Sequence, residues 1–317
     1  MEEQFSEYYI SEINKLKVTK NAIILAHYYQ TSDIQDIADF VGDSLALSQK
    51  AASNNADIIL FAGVKFMAET AKILAPEKKV ILPDMNAGCS LADSCKPIDF
   101  EKFINENPER TVVSYVNTTA EIKALSDIIC TSSNAVKIVE SLPEDEKIIF
   151  APDRNLGNFV LNKTGRDIVI WNGKCHVHEE FSLEAILKLK KDNPDAKIIV
   201  HPECELPVRM VADYIGSTSA LLKFTEKDNA RSYIVATEAG IIHQMKKGNP
   251  DKNYFPAPPR DSTCGCSECN FMKLITMEKI FNSLLNEKPE IIIDKEIIYK
   301  AQKPIIRMIE ISKKLGL

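Results

Sequence analysis

The chain has 317 residues, of which 45% are hydrophobic and 26% are charged, and its net charge is −6. These proportions are ordinary for a globular protein, and an acidic balance without a basic cluster argues against a nucleic-acid partner. No apolar run approaches the roughly 20 residues of a membrane-spanning helix, and the acidic N-terminus lacks the apolar segment of a signal peptide. We therefore expect a cytoplasmic protein without a membrane partner.

Helices and strands alternate along the first quarter of the chain. Helical spacing of apolar residues predicts a helix over 1–20, and short apolar runs predict buried strands at 23–26, 40–42, 58–61 and 80–82. Helices are predicted between them at 33–39, 44–53 and 66–74, with Ser44 serving as the N-cap of its own helix. Alternation on this length scale predicts a parallel sheet covered by helices on both faces.

The same order of elements returns twice. The second copy has predicted strands at 112–115, 128–130, 148–150 and 168–170, and the third begins at Ile198 with a further strand at 234–236. The third copy is predicted to lack a fourth strand, because a proline-rich loop at 255–260 stands in its place. The end of the chain, 276–317, is predicted to be helical and to pack back on the first copy.

One aspartate marks the same point in each copy. Asp39, Asp127 and Asp213 are 88 and 86 positions apart, a spacing that corresponds to whole small domains. The sequence predicts an α/β fold of three pseudo-threefold-related domains, each with three αβα layers and a small parallel sheet. The predicted domains are 1–88, 89–174 and 175–269, followed by a helical segment at 270–317 that packs back on the body.

Polar side chains follow the first strand of each copy, where ligands bind in open parallel sheets. Three domains packed around one axis would bring these clusters to one central cavity. Taken singly, such residues also fit a role in capping loops. The clusters are His27 with Tyr29, Tyr115 with Asn117, and His201 with Glu203.

Hydroxyl residues stand at the next predicted helix start of each copy: Ser44, Ser132 and the pair Ser217 and Thr218. A single one fits ordinary N-capping. Three in register predict a ligand with several anionic groups, because helix starts offer free N–H groups and a favourable dipole.

Eight cysteines in a cytosolic chain indicate metal or redox chemistry more than disulfides. Cys89 and Cys175 each follow the last strand of a copy, and a third follows from the group Cys264, Cys266 and Cys269. One thiolate from each copy would suit an iron–sulfur cluster with one open iron. Alternatively, the last three with His243 would form a zinc knuckle. We assign Cys95, Cys130 and Cys204 to buried or loop thiols.

Several short motifs resemble quinolinate synthase, the A protein of bacterial and archaeal NAD biosynthesis. They run in order from the first strand to the last cysteine: AHYYQ at 26–30, GDS at 42–44, YVN at 115–117, CTS at 130–132, PDRNLG at 152–157, HPEC at 201–204, GST at 216–218 and TE at 237–238. The resemblance implies three α/β domains around an oxygen-sensitive [4Fe–4S] cluster. It also implies condensation of iminoaspartate with dihydroxyacetone phosphate to quinolinate, with loss of phosphate and water.

Carried to this chain, the resemblance implies Cys89, Cys175 and Cys269 as cluster ligands. Many members carry Cys-x-x-Cys-x-x-Cys around the third ligand, whereas this chain has Cys-x-Cys-x-x-Cys at 264–269. Glu203 and His201 are expected to transfer protons, with Tyr29 and His27 as further acid–base groups. The implied substrate contacts are His27, Ser44, Tyr115, Asn117, Ser132, His201, Glu203, Ser217 and Thr218.

The implied partners are the two small-molecule substrates and, in transient contact, an enzyme that oxidises aspartate. Two other functions fit part of the pattern. Another [4Fe–4S] hydro-lyase acting on a small polycarboxylate would explain the open iron and the anion sites. A non-catalytic metal-binding or redox-sensing module would explain the cysteine-rich loop alone.

Overall fold

Three four-stranded parallel sheets, each interleaved with helices, make up the computed structural model, which describes residues 2–260 and 267–317. Within these residues no helix has both the length and the apolar character to cross a membrane. The strands are β1 (Ala22–His27), β2 (Phe40–Gly42), β3 (Ile58–Ala62), β4 (Lys79–Ile81), β5 (Thr111–Tyr115), β6 (Ile128–Cys130), β7 (Ile148–Ala151), β8 (Ile168–Ile170), β9 (Lys197–Val200), β10 (Tyr214–Ile215), β11 (Ser232–Ala236) and β12 (Asn253–Pro256).

The helices of the first copy are α1 (Glu2–Thr19), α2 (Ser32–Ile37), α3 (Ser44–Ala52) and α4 (Lys65–Leu74). Those that follow are α5 (Ser90–Asp93), α6 (Pro97–Glu106), α7 (Ala120–Ala124), α8 (Ala135–Glu140), α9 (Arg154–Thr164), α10 (His176–Glu179), α11 (Leu183–Asp192), α12 (Leu206–Met210), α13 (Thr218–Lys227) and α14 (Ile241–Gly248). The chain ends in α15 (Met277–Asn286) and α16 (Lys295–Lys314).

The three sheets repeat one topology. Their strand orders are β2-β1-β3-β4, β6-β5-β7-β8 and β10-β9-β11-β12, and every pairing is parallel. This confirms the predicted α/β fold with three small parallel sheets. Each sheet lies inside one of the predicted domain ranges, while the domain boundaries themselves stay predictions.

The three marker aspartates make the same contact in all three copies. Asp39 accepts a hydrogen bond from the Ile24 backbone N–H at 2.8 Å, Asp127 accepts one from Val112 at 2.8 Å, and Asp213 accepts one from Ile198 at 2.7 Å. The carboxylate thus satisfies a strand donor at the entry to the second strand of each sheet. Their recurrence therefore reflects the fold and not the chemistry of the site.

Apolar packing joins the first two copies and separates the third. One continuous core contains side chains of the first two sheets together with α15 and α16. The third sheet has separate clusters on its two faces, with Ile198 and Val200 on one face and Ile199 on the other. α15 packs against α1 and β3, whereas α16 packs mainly against α7 and β6 of the second copy.

The structure corrects the prediction that the third copy lacks a fourth strand. β12 pairs in parallel with β11 and includes Pro256. The strand lies at the edge of its sheet, where a proline does not remove a ladder hydrogen bond that the sheet needs. The sequence did not predict this strand because its segment is rich in proline.

Candidate active site

A cavity of about 660 Å³, including its open mouth, lies where the carboxyl ends of strands from all three sheets meet. It is lined by nearly all the site residues that the sequence predicts: His27, Tyr29, Ser44, Cys89, Tyr115, Asn117, Ser132, Cys175, His201, Glu203, Thr218 and Cys269. Ser217 is buried beside the cavity and does not line it. The structure therefore brings the three strand-end clusters and three cysteines to one place.

The two strand-end histidines are held by the same local turn. The Nδ1 of His27 accepts a hydrogen bond from the Tyr29 backbone N–H at 3.2 Å, and the Nδ1 of His201 accepts one from Glu203 at 3.3 Å. Burial lowers the pKa of His27 to about 4 and that of His201 to about 3. Both rings are therefore neutral at pH 7 and carry their proton on Nε2, where they act as hydrogen-bond donors.

Glu203 is a buried carboxylate joined to the second copy. The Tyr115 hydroxyl donates a hydrogen bond of 2.6 Å to its Oε1. Burial raises the pKa of Glu203, but His178, His201 and Tyr115 together outweigh burial and hold the pKa below its ordinary value. Burial and the Glu203 charge raise the pKa of Tyr115 well above its usual value. At neutral pH the pair is therefore a carboxylate with a protonated phenol.

Tyr29 lies in a chain of hydroxyl groups. Its hydroxyl is 2.9 Å from Thr218 Oγ1 and 2.8 Å from Thr237 Oγ1, and Thr237 Oγ1 lies 3.0 Å from Nε2 of His178. Burial raises the pKa of Tyr29 well above its usual value, so the phenol stays protonated. These contacts fix the direction of the phenol from two different strand ends.

Residues at the three predicted helix starts contact each other, but the residues that cap the helices differ in part from those predicted. The side chain of Asp43, not Ser44, caps α3 by accepting from the Ala46 N–H at 3.0 Å. Ser133 Oγ donates to Asp43 Oδ2 at 2.6 Å and lies 2.9 Å from Ser217 Oγ, so one residue from each copy joins this contact.

Ser132 lines the cavity, but it does not start a helix. The following helix, α8, begins only at Ala135, because the chain first makes a turn in which Asn134 Oδ1 accepts from the Thr131 N–H at 2.6 Å. The prediction of a helix start at Ser132 is therefore wrong, although the hydroxyl reaches the cavity. An asparagine side chain that accepts from a nearby backbone N–H favours such a turn.

Each cysteine of the cavity precedes a short helical turn whose N–H groups face the sulfur. Cys89 and Cys175 occupy the N-cap positions of α5 and α10, and Cys269 precedes a 3₁₀ turn at Met272–Leu274. Burial raises the pKa of Cys89 to about 12 and also raises the pKa values of the other two, while the facing N–H groups oppose the rise. Metal binding would have to displace the thiol protons.

The arrangement of sulfur atoms suits a cluster better than a single ion held by three thiolates. All six cysteines of the described residues are free, and the three in the cavity come from three separate segments. One tetrahedral ion brings its sulfur ligands to roughly 3.8 Å from one another. Among the described residues, the group of ligand atoms within 4.8 Å of one another is instead Cys175, His178 and Glu203. A cluster of several irons is larger than a single ion and would reach three thiols that lie further apart.

Part of the alternative zinc knuckle lies outside the described residues. Cys264 and Cys266 lie outside the described residues, and Cys269 lines the central cavity. The Nε2 of His243 lies 3.0 Å from Asp36 Oδ1, on α14 at the contact with the first copy.

Several residues of the cavity were not among the site residues predicted from the sequence. Asp43, His178 and Glu238 line it, and Thr237 contacts two residues that do. Glu238 accepts from the Cys269 N–H at 3.1 Å and pairs with Lys273 at 3.0 Å, so it holds the third cysteine segment. The spacing Cys-x-x-His at 175–178 is a signal that could have identified His178 as a metal-ligating side chain.

Known proteins resemble this chain over nearly its whole length. The family described as quinolinate synthetase A protein matches residues 11–310. A quinolinate synthase of Microcystis aeruginosa is 59% identical over 300 residues, which are 95% of this chain and 94% of that protein. Those of Synechococcus and Thermosynechococcus vestitus are 57% and 56% identical, over 95% and 96% of this chain and 94% and 95% of theirs. The chain therefore belongs to the quinolinate synthetase A protein family of enzymes.

Proposed function

We propose that this enzyme condenses iminoaspartate with dihydroxyacetone phosphate to quinolinate, releasing one phosphate and two water molecules. The observation that carries the proposal is the convergence of three thiols from three separate segments of the chain on a cavity that also holds acid–base groups and anion-binding positions. The family membership and the curated relatives named quinolinate synthase support it. The product places the enzyme in NAD biosynthesis.

Cys89, Cys175 and Cys269 would hold a [4Fe–4S] cluster in this proposal. All three are free thiols that line one cavity, and each has backbone N–H groups facing its sulfur, which suits a bound anionic cluster. When bound, such a cluster with three protein ligands supplies an iron with an open coordination position that acts as a Lewis acid.

Glu203 is proposed as the proton acceptor. Its carboxylate is ionised, and Oε2 has no hydrogen-bond partner among the described residues, while Tyr115 occupies Oε1. Forming the pyridine ring from two open-chain precursors requires protons to leave carbon and to reach departing oxygens. A buried carboxylate with one free oxygen can receive such a proton, and the Tyr115 phenol can return one.

His201 and His27 are proposed to act as neutral donors through Nε2, since their low pKa values exclude the charged form at pH 7. Tyr29, a protonated phenol between two threonines, is proposed as a second acid. Donors of this type, fixed before the reaction, stabilise negative charge that develops on a substrate oxygen.

The anionic groups of the substrates are proposed to bind at the hydroxyl-lined part of the cavity. Ser44 and Thr218 lie in the first turns of α3 and α13, where N–H groups are available, and Ser132 lines the cavity beside them. Ser217 supports Thr218 as the N-cap of α13. Asn117 is half-buried, and its Oδ1 is buried without a partner among the described residues, so this oxygen remains available to a hydrogen-bond donor of a ligand.

The test is anaerobic reconstitution followed by turnover with both substrates. We expect about four irons per chain and equal amounts of quinolinate and phosphate. Replacement of Cys89, Cys175 or Cys269 by serine should lower the iron content and abolish turnover, whereas Cys95→Ser should retain both. A loaded enzyme that dehydrates a polycarboxylate but releases no phosphate from dihydroxyacetone phosphate would instead indicate the other hydro-lyase.

Iminoaspartate contains an imine that water hydrolyses. We therefore also propose transient contact with an enzyme that oxidises aspartate, so that the imine passes quickly between the two proteins. To test this, the quinolinate yield is compared between two arrangements. In one the two proteins are mixed, and in the other a membrane permeable to small molecules separates them.

A further inference from the structure

A buried group of three different ligands lies in the wall of the cavity. The Sγ of Cys175, a ring nitrogen of His178 and a carboxylate oxygen of Glu203 lie within 4.8 Å of one another. The Nδ1 of His178 is 3.4 Å from Cys175 Sγ and 3.4 Å from Glu203 Oε2. We propose that these three side chains form a site for a single divalent cation of the zinc type when the cluster is absent.

The distances fit one tetrahedral ion. Zinc binds sulfur at 2.3 Å and nitrogen or oxygen at about 2.0–2.2 Å, so neighbouring ligand atoms in a tetrahedral site lie roughly 3.4 to 3.6 Å apart. The two separations that involve His178, 3.4 Å each, match this spacing, and the ligand atoms of Cys175 and Glu203 lie within 4.8 Å of each other. Three protein ligands leave the fourth position open to the cavity that all three side chains line.

Each of the two non-sulfur ligands has a partner that orients it for a metal. When Nδ1 of His178 binds an ion, the ring proton stays on Nε2, where Thr237 Oγ1 accepts it at 3.0 Å. Tyr115 donates to Oε1 of Glu203, which leaves Oε2 as the ligand atom, and Oε2 has no hydrogen-bond partner among the described residues. Metal-binding histidines and carboxylates usually carry such outer contacts.

The charges also balance. As the Cys175 sulfur binds the ion, its thiol proton is released to water, and the thiolate and the Glu203 carboxylate neutralise the two charges of the cation. His178 is 3% exposed and Glu203 is 2% exposed, so an uncompensated charge would be costly here. A neutral complex of one cation with these ligands avoids that cost.

The site shares Cys175 with the proposed cluster and Glu203 with the proposed proton acceptor. This part of the inference rests on the proposed function. A zinc ion at this site and a [4Fe–4S] cluster cannot both use the Cys175 sulfur. Zinc therefore excludes the cluster and occupies the carboxylate oxygen that the reaction needs.

The test uses the full chain without a cluster, kept reduced and free of oxygen. Zn²⁺ is titrated against a chelating dye, and Co²⁺ serves as a spectroscopic probe of ligand type. We expect one ion per chain and, for Co²⁺, a tetrahedral visible spectrum with charge transfer from one thiolate. His178→Asn and Glu203→Gln should each weaken Zn²⁺ binding roughly 100-fold or more, and Thr237→Val, which alters only an outer contact, about 10- to 100-fold.

Cys89→Ser separates the two sites. It removes one proposed cluster ligand but none of the three zinc ligands, so its Zn²⁺ affinity should equal that of the unchanged chain. His178→Asn keeps all three cluster thiols and should still take up iron and sulfide. Equal Zn²⁺ affinity in His178→Asn and the unchanged chain, or a Co²⁺ spectrum of several thiolates that Cys89→Ser abolishes, would overturn the proposal. Failure of the unchanged chain to assemble a cluster would count against the proposed function alone.

Discussion

Tyr115 at the end of β5 and Glu203 beyond β9 are joined by a hydrogen bond of 2.6 Å, although they are 88 residues apart and belong to different copies. Both side chains are buried and line the cavity. This single contact ties the second sheet to the third at the cavity and sets which oxygen of Glu203 remains free.

Tyr115→Phe removes this donor and leaves Oε1 of a buried carboxylate unsatisfied. An unsatisfied buried partner costs about 1–3 kcal/mol, so we expect turnover to fall roughly 10- to 100-fold with the fold retained. Quinolinate formation by the reconstituted variant gives the measurement. Tyr8→Phe, at an exposed tyrosine of α1, is the matched control and should behave as the unchanged enzyme. Full activity in Tyr115→Phe would show that the phenol is dispensable.

Glu203→Gln keeps the size of the side chain but removes its capacity to accept a proton. We expect kcat to fall at least about 100-fold, because a positioned base contributes that much or more. The assay contains a zinc chelator so that zinc bound at Cys175, His178 and Glu203 does not affect the result. The affinity for a stable dicarboxylate such as succinate, measured by calorimetry, should change little. A variant with normal turnover and normal binding would exclude Glu203 as the base.

The three marker aspartates should contribute similar stability in their separate copies. Asp39→Ala, Asp127→Ala and Asp213→Ala each remove a charged acceptor from a strand N–H, and we expect each to lower the free energy of unfolding by about 1–3 kcal/mol. Urea denaturation of each variant measures it. Asp145→Ala, at an exposed loop position, should change the value by less than about 0.5 kcal/mol. If none of the three variants has a lower free energy of unfolding, the assigned role is contradicted.

The buried neutral histidines should make stability depend on pH. The pKa of His27 is about 4 in the folded chain and about 6.5 when unfolded, so between these values the unfolded state binds more protons. Its contribution is present above pH 6.5 and is lost as pH falls towards 4.

From pH 7 to pH 5 this histidine alone should lower the free energy of unfolding of the cluster-free protein by about 2 kcal/mol. His27→Asn cannot titrate in this range, so the decrease in that variant should be smaller by about that amount. Urea denaturation at the two pH values checks it. An identical decrease in both proteins would mean that His27 is not held neutral.

Triplication, the α/β class and most strand positions follow from local sequence. Strands β2, β6 and β8 have the predicted bounds, because short apolar runs between polar turns have few alternative structures. β12 could not be predicted from its composition, since only its edge position makes Pro256 acceptable. The short helices α5 and α10 also escaped prediction, because their four residues are too few to show a helical period.

The sequence by itself determined which residues stand at the ends of the first strands and after the last strands, because chain order and hydrophobic period depend on neighbours in the chain. Only the tertiary structure decided which side chains from different copies touch. Ser133 and not Ser132 bonds Asp43, and His178 lies 3.4 Å from both Cys175 Sγ and Glu203 Oε2. Such contacts depend on how three separately encoded sheets pack against each other, and a difference of one residue in a turn changes which side chain reaches the centre.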